Sequence, residues 1–284
     1  MKVAKVIATC FSPRTVREKT GFNNNPLGYF SHAQNFTTRD DIIRLIDFTI
    51  EVESLSDPGC QTDLIIVNSR TGWTAGDQYL DSFHGKSLKH GKVLVMHREN
   101  VGLSFGSYNH AFSMLGSDYD YYLFTEDDII INGDHYVEIG VNTFLEQKNC
   151  GFVAYLALGY DDNIKGRAAA AGGVGLTSYS VLNHVCQANG SLSYFNDSSL
   201  ANRWQHILYG ELAFTDDINK LGYVLTEIDP KIKLYDFAYD LMRGIKINKR
   251  YASFNEEFIY YTKRNFMKSK IIQYINKVRK NLIN

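Results

Sequence analysis

The feature that most constrains the fold of this chain is an alternation of strand-like and helix-like patterns over roughly its first 130 residues. The strand-like runs, rich in aliphatic, β-branched and aromatic residues, are Lys5–Cys10, Asp63–Val67, Lys92–Met96 and Tyr121–Thr125. Between them, Arg39–Leu55 and Ser107–Leu115 carry the apolar spacing of helices. Strands that alternate with helices pair in parallel. We therefore predict an α/β protein with a mostly parallel sheet flanked by helices.

Several classes of protein are disfavoured by the composition. The chain has no run of about 18 apolar residues, and Val3–Ala8 is too short and too polar for a secretory signal. Its 4 cysteines are dispersed and form no Cys-x-x-Cys pair, which argues against a disulfide framework or a zinc site. We expect a cytoplasmic protein, and the net charge of −1 gives no reason to expect a nucleic-acid partner.

Three consecutive acidic residues, Glu126, Asp127 and Asp128, follow the last strand-like run and precede Ile129–Ile131. Carboxylates at the end of a buried strand cost solvation energy unless a positive group neutralises them. Mg²⁺ or Mn²⁺ can do so, because both prefer oxygen ligands and usually also hold substrate phosphates. The alternative is a solvated acidic turn with no chemical role.

Other polar residues also fall at strand ends. Asn68 and Ser69 end the second strand-like run, and Asn100-Val-Gly102 follows the third. In an open parallel sheet, ligands bind beyond the carboxyl ends of the strands. Gly102 and Gly106 would let the backbone approach a ligand closely, although an ordinary strand-to-helix turn would look similar. We therefore expect a ligand site at this edge.

Taken together, these motifs resemble the glycosyltransferases of the GT-A fold, particularly the inverting family-2 type, over roughly residues 3–240. Asn100-Val-Gly102 with Asn109 matches the family's Asn-x-Gly and following Asn. Leu123–Ile129 matches its metal-binding Asp-x-Asp strand. Ala171–Gly175 resembles its small-residue acceptor segment. The residues Gly210-Glu211, followed by Gly222-Tyr223, resemble its Glu-Asp pair before a Gly-Tyr.

The resemblance implies a role for each matching residue. Glu126 and Asp128 would hold Mn²⁺ or Mg²⁺, and Glu211 would be the catalytic base, although a carboxylate favoured at a helix start would look the same. The residues expected to bind the donor are Thr9, Phe11, Asn68, Ser69, Asn100, Gly102, Asn109 and Asp127. The residues expected to bind the acceptor are Gly172, Gly173 and Trp204, although local packing would equally explain the aromatic residues between positions 187 and 209.

The chain departs from the family pattern at two matching positions. Asn68 stands where the second strand usually ends in an acidic residue, and Gly210 replaces the first acid of the Glu-Asp pair. A metal-ligating histidine on a late strand has no clear counterpart.

The predicted catalytic domain covers residues 1–240, with a nucleotide-sugar-binding half at 1–130 and an acceptor half at 131–240. Residues 241–284 form a predicted basic helical extension. Residues 1–230 carry 17 Lys and Arg against 27 Asp and Glu, whereas residues 231–284 carry 13 against 4. A basic amphipathic helix suits an anionic membrane surface, which would place the protein at the inner face of the membrane. The alternative is a terminal helix that packs on the domain or pairs with a second chain.

The predicted function is a metal-dependent inverting glycosyltransferase of the hexosyltransferase type. It would move a sugar from a nucleoside-diphosphate sugar to a hydroxyl of a glycan or lipid-linked acceptor, in bacterial cell-surface polysaccharide synthesis. The alternatives are a sugar-nucleotide pyrophosphorylase and a non-catalytic carbohydrate-binding protein on the same fold.

Overall fold

A computed structural model describes residues 1–12, 38–131, 133–155, 158–161, 167–170, 173–198, 203–229, 232 and 234–237. The strands are β1 (Lys2–Thr9), β2 (Gln61–Arg70), β3 (Ser87–Leu88), β4 (Gly91–Glu99), β5 (Tyr121–Glu126), β6 (Ile129–Ile131), β7 (Cys150–Ala154), β8 (Leu158–Asp161), β9 (Arg167–Ala170), β10 (Gly175–Ser178), β11 (Val224–Glu227) and β12 (Tyr235–Phe237). The helices are α1 (Arg39–Leu55), α2 (Thr74–Asp81), α3 (Leu103–Leu115), α4 (Tyr136–Glu146), α5 (Tyr179–Asn189), α6 (Arg203–His206) and α7 (Ala213–Lys220). A 3₁₀ turn at Gly116–Asp118 follows α3, and a π-helix at Ile207–Leu212 joins α6 to α7.

The main sheet has eight strands in the order β11-β7-β10-β5-β1-β2-β4-β3. The pairs β1–β2, β1–β5, β2–β4 and β7–β11 are parallel, whereas β10 runs antiparallel to both β5 and β7. The predicted α/β class and mostly parallel sheet are confirmed. The four central parallel strands end at one edge, here called the carboxyl edge, and begin at the opposite amino edge.

Helices cover both faces of the central sheet. On one face, Ala4 and Val6 of β1 pack with residues of α3, α5 and α7. On the other face, Ile7 of β1 packs with residues of α1 and α2, and Val3 packs with residues of α4. Burial on both faces explains why the strand sequences are almost continuously apolar.

Aromatic rings join α3 and α7 to the strand that carries the acidic triplet. Tyr108 of α3 stacks on Phe124 of β5, with ring centroids 4.5 Å apart. The ring of Phe214 in α7 packs against two other rings. Its centroid lies 5.8 Å from that of Phe105 in α3 and 6.5 Å from that of Phe124. The start of α3 and the helical segment before α7 therefore lie near the end of β5.

Helix α3 begins four residues earlier than the predicted Ser107. Gly102 has a left-handed backbone conformation with φ of 79°. That conformation costs glycine little, so the chain can turn from β4 directly into the helix. Leu103, the first helical residue, also has a positive φ, of 47°.

The predicted boundary at residue 240 and the basic extension at 241–284 lie outside the described residues and stay predictions. Among the residues that the structure describes, no helix is both long enough and apolar enough to span a bilayer. The last described strand, β12, pairs antiparallel with β6, so Asp236 lies opposite Ile130.

Candidate active site

The acidic triplet forms the turn between β5 and β6. Glu126 is the last residue of β5, and Asp127 and Asp128 make the turn before Ile129 begins β6. Asp127 is buried, whereas Glu126 and Asp128 are half-buried. The triplet therefore lies at the carboxyl edge of the sheet, as the sequence predicts.

Strand β1 holds the turn in place. The Thr9 hydroxyl donates a hydrogen bond to Asp127 Oδ2 at 2.7 Å, and the Asp127 amide donates to the Ala8 carbonyl at 3.2 Å. Thr9 is only 2% exposed. The structure thus gives the Thr9 hydroxyl a protein partner, while the predicted contact of Thr9 with a donor stays a prediction.

Helix α3 holds the first acid of the triplet. The Ser104 hydroxyl, in the first turn of α3, donates a hydrogen bond to Glu126 Oε1. A carboxylate beside a helix N-terminus is also favoured by the helix dipole. Ser104 was not among the predicted site residues, and its position two residues after Gly102 of the Asn-x-Gly turn was the available signal.

Tyr108 shows that the predicted metal-binding residues and the predicted base lie together. Its hydroxyl donates to the Thr125 carbonyl at 3.2 Å in a fully buried position. Burial raises the pKa of Tyr108 well above its usual value, and the negative charges of Glu126, Asp128, Glu211 and Asp127 raise it further. Glu211 is remote in sequence from the triplet, so the fold brings both within electrostatic range of one buried hydroxyl.

Glu211 lies inside the π-helix Ile207–Leu212, in a helical segment that runs from Arg203 to Lys220. It is half-buried, and its carbonyl accepts a hydrogen bond from the Thr215 hydroxyl at 3.1 Å. The alternative of a carboxylate at a helix start is wrong, because helical residues precede Glu211. π-helices are rare and frequently occur at functional sites.

Two glycines let the ring of Phe105 pack between neighbouring segments. A Cβ atom at Gly210 would lie 3.2 Å from Phe105 Cγ, and one at Gly173 would lie 2.5 Å from Phe105 Cζ. Gly173, predicted to bind the acceptor, therefore contacts the residue that follows Ser104. Gly172 lies outside the described residues, and of Trp204 only the backbone position in α6 is described.

Buried acceptor atoms lie near the ends of β2 and β4. Asn68 is 1% exposed, and its amide nitrogen contacts Asp77 Oδ1 at 2.6 Å and His97 Nδ1 at 3.0 Å. Its Oδ1 atom, like Oδ1 of Asn100, is buried and has no hydrogen-bond partner among the described residues. Such acceptors cost free energy unless a partner satisfies them.

Ser69 and Asn109 already have partners within the protein. Ser69 Oγ lies 3.2 Å from Ser107 Oγ and accepts from Arg98 Nη1 at 3.2 Å. Asn109 Oδ1 accepts from the Leu192 amide at 3.0 Å.

Gly102 and Phe11 have partners as well. The Gly102 amide donates to the Asp197 carbonyl at 2.8 Å, so it anchors residues near 197 beside the start of α3. Phe11 is buried against Trp73, with ring centroids 5.1 Å apart. The Arg39 guanidinium lies 4.9 Å from the centroid of the Trp73 ring. Trp73 and Arg39 carried no sequence motif and were not selected.

The acidic turn has part of what a divalent cation requires. Among the residues that the structure describes, no group of three or more His, Cys, Asp or Glu side chains is arranged to hold a metal ion. Mg²⁺, however, is often bound by one or two carboxylates together with substrate phosphates and water. Glu126 and Asp128 fit that pattern, and the negative charge around Tyr108 is the electrostatic environment that such a cation requires.

No protein-family model matches the chain, and no curated protein matches it in sequence. In structure it is similar to a cytidylyltransferase from Leptospira borgpetersenii, with 13% identity, a TM-score of 0.44, and coverage of 98% of this chain and 96% of that chain. It is also similar to the galactosyltransferase LgtC, solved with donor and acceptor sugar analogues, with 9% identity, a TM-score of 0.40, and coverage of 80% and 73%. A 4-diphosphocytidyl-2C-methyl-D-erythritol synthase from Anaerococcus prevotii matches with 8% identity, a TM-score of 0.40, and coverage of 92% and 94%.

TM-scores below 0.5 denote a loose likeness, so the α/β assignment rests on the strand order and the two helix layers described above.

Proposed function

We propose that this protein is a divalent-metal-dependent glycosyltransferase that moves a sugar from a nucleoside-diphosphate sugar to an acceptor hydroxyl with inversion. The observation that carries the proposal is that the first turn of α3 contacts both the acidic turn, where Ser104 donates to Glu126, and the segment of Glu211, where Phe105 packs on Gly210. Ligands of open parallel sheets bind at the carboxyl edge. A glycan or lipid-linked acceptor in bacterial surface-polysaccharide synthesis is the substrate class that we assign.

Glu126 and Asp128 would hold Mn²⁺ or Mg²⁺, and bound there the ion supplies Lewis-acid stabilisation of the charge on the departing diphosphate. Thr9 keeps Asp127 oriented at the turn. The unsatisfied acceptors of Asn68 and Asn100 would take hydrogen bonds from the nucleotide part of the donor.

Glu211 would act as the general base. It accepts the proton of the acceptor hydroxyl while that oxygen forms a bond to the anomeric carbon of the sugar. The bond between the anomeric carbon and the diphosphate oxygen breaks on the opposite face, which inverts the configuration. Glu211 is half-buried, and the residue before it packs on Phe105 at the start of α3, next to the serine that holds Glu126.

A thermal-shift screen tests the proposal. UDP-, GDP-, dTDP- and CMP-linked sugars are each added to the full chain, with and without Mn²⁺. We expect one nucleotide class to raise the Tm only when metal is present, since a ligand at 100 times its Kd stabilises by about 2.7 kcal/mol. The Asp118→Ala variant, which loses an exposed acid remote from the triplet, is the control and should respond as the wild type does.

Two outcomes would contradict the proposal. A metal-independent response, or none to any donor, would remove the donor assignment. Formation of a nucleotide sugar from a nucleoside triphosphate and a sugar phosphate would instead identify a pyrophosphorylase.

We also propose that the basic extension docks on an anionic membrane. Lys268, Lys270, Lys277, Arg279 and Lys280 would each contribute about 1 kcal/mol near anionic headgroups. Replacing all five by glutamine should abolish co-sedimentation with phosphatidylserine-containing vesicles at physiological salt, while neutral vesicles serve as the control. Equal pelleting of the two proteins would contradict membrane docking.

A further inference from the structure

The first turn of α3 contacts both the acidic turn and the segment that carries Glu211. Ser104 donates a hydrogen bond to Glu126, and Phe105, the next residue, packs against Gly210 directly before Glu211. We propose that this turn is a spacer that sets the position of Glu126 relative to Glu211. The inference rests on the proposed function and assigns Ser104 and Phe105 as positioning residues.

Ser104 orients Glu126. Its hydroxyl donates a hydrogen bond to Oε1 of that carboxylate, so one of the two carboxylate oxygens is held by the helix. The neighbouring hydroxyl on the same face of α3, Ser107, has different partners, because it contacts Ser69 Oγ and Arg98 Nη1. Partners that orient metal ligands typically change metal affinity 10- to 100-fold when removed.

Phe105 supports the segment that carries Glu211. Its ring is 8% exposed and is fixed by Tyr108, at a centroid distance of 5.4 Å, and by Phe214, at 5.8 Å. A methyl group on Gly210 would lie 3.2–3.4 Å from three atoms of Phe105, which is closer than ordinary van der Waals contact. Since the ring is confined, such a group would push the π-helix away from α3 and carry Glu211 with it.

Tyr108 lies one turn further along the same helix and is also near both the acidic turn and Glu211. Its buried hydroxyl is close enough to Glu126 and Glu211 for both charges to raise its pKa. Helix α3 therefore contacts both Glu126 and the segment that carries Glu211. Rigid elements hold catalytic groups more closely than loops do.

Mn²⁺ titration followed by electron paramagnetic resonance tests the role of Ser104, because free Mn²⁺ is measured directly and no turnover is needed. Ser104→Ala should weaken Mn²⁺ binding to the full chain about tenfold or more. Ser104→Thr keeps the hydroxyl and should restore binding to within about threefold of the wild type. Ser113→Ala removes an exposed hydroxyl from the same helix and should change nothing.

Steady-state kinetics with the nucleotide sugar selected by the thermal-shift screen test the role of Phe105. Gly210→Ala should lower kcat about tenfold or more, with little change in KM for the donor or in the Kd for Mn²⁺. Adding Phe105→Ala removes Cγ and Cδ2, the two atoms nearest to that methyl group, and should recover most of kcat. Gly133→Ala is the matched control, because a Cβ at Gly133 meets no atom within 4 Å.

The outcomes separate this inference from the proposed function. Wild-type protein that binds no Mn²⁺ and transfers no sugar would overturn the proposed function. Wild-type protein that binds Mn²⁺ and turns over, with Ser104→Ala binding normally or with Gly210→Ala unimproved by Phe105→Ala, would overturn the spacer alone. Loss of Mn²⁺ affinity in Ser104→Ala and rescue of kcat in the double variant would establish it.

Discussion

The two edges of the central sheet both carry ion pairs, such as Lys2 with Asp63 and Arg70 with Asp77, but the carboxyl edge also carries the acidic triplet. At the amino edge, an acid meets a cation: Asp63 contacts Lys2 Nζ at 3.2 Å. At the carboxyl edge, four carboxylates act together on Tyr108. Opposite charges stabilise a fold, whereas clustered like charges cost stability and are typical of sites that bind a cation or move a proton.

Hydrogen bonding sharpens the contrast. Asp63, only 2% exposed, also accepts from the Tyr119 hydroxyl at 2.8 Å and the Lys92 amide at 2.9 Å, so it is fully satisfied by the protein. Near the carboxyl edge, Asn68 Oδ1 and Asn100 Oδ1 are buried without a hydrogen-bond partner in the described part of the chain. Asp63 is therefore fully paired within the protein, whereas these two acceptors near the carboxyl edge are not.

Glu211→Gln should have the largest effect on activity. Glutamine keeps the shape of the side chain but cannot accept a proton, so kcat should fall by about 10²–10⁴. The Kd for Mn²⁺ should not change. Initial-rate kinetics and Mn²⁺ titration measure both quantities, and Glu146→Gln, at an exposed helix end, is the control. Near-normal turnover would remove Glu211 from the mechanism.

Asp128→Asn should lower the rate about 10²–10³-fold, since a bound metal stabilises a transition state by several kcal/mol. It should also weaken Mn²⁺ binding. Because the change relieves repulsion within the carboxylate cluster, the Tm of the metal-free protein should stay constant or rise. Calorimetry without metal checks that result, and a clear fall in Tm would contradict the contrast between the edges.

Asp63→Asn should show the reverse pattern. It weakens a buried, hydrogen-bonded charge, so the free energy of unfolding should fall by about 2–3 kcal/mol. Activity per folded molecule should be unchanged, because Asp63 lies at the amino edge. Urea denaturation measures the free energy of unfolding, and kinetics on the same preparation measure the activity per folded molecule. A stable but inactive variant would show that the edges are coupled.

The smallest effect is expected at Asp57. The Gly59 amide holds the pKa of Asp57 below its ordinary value of 3.8, with His90, Lys89 and His135 acting in the same direction. A carboxyl group with a lowered folded-state pKa stabilises above its unfolded pKa, and this stability is lost as pH falls through the folded pKa. Asp57→Asn should therefore flatten the fall in Tm between about pH 5 and pH 3. An identical pH profile would exclude this contribution.

The sequence predicts the fold and the position of the acidic turn well, because both depend on local patterns. Runs such as Asp63–Val67 mark strands, and the acids after Thr125 mark a strand end. The helical spacing within Ser107–Leu115 likewise predicts α3 but not its start, since the left-handed Gly102 allows the helix to begin earlier.

Contacts between distant segments could not be predicted in this way. The insertion of β10 between β5 and β7 depends on strand pairing across the chain. The hydrogen bond from Ser104 to Glu126 and the packing of Phe105 on Gly210 likewise join residues that share no periodic pattern. The π-helix around Glu211 has no sequence signature of its own, because the same residues would suit an α-helix.

The pairing of β6 with β12 has a consequence for how the protein is made. Residues 129–131, directly after the acidic turn, find their strand partner only at residues 235–237. On the ribosome the parallel core can form long before that partner emerges, since strands β1, β2, β4 and β5 all precede residue 127. Contacts between distant segments form slowly, so the acidic turn should gain its final support late in synthesis, when the rest of the sheet is already in place.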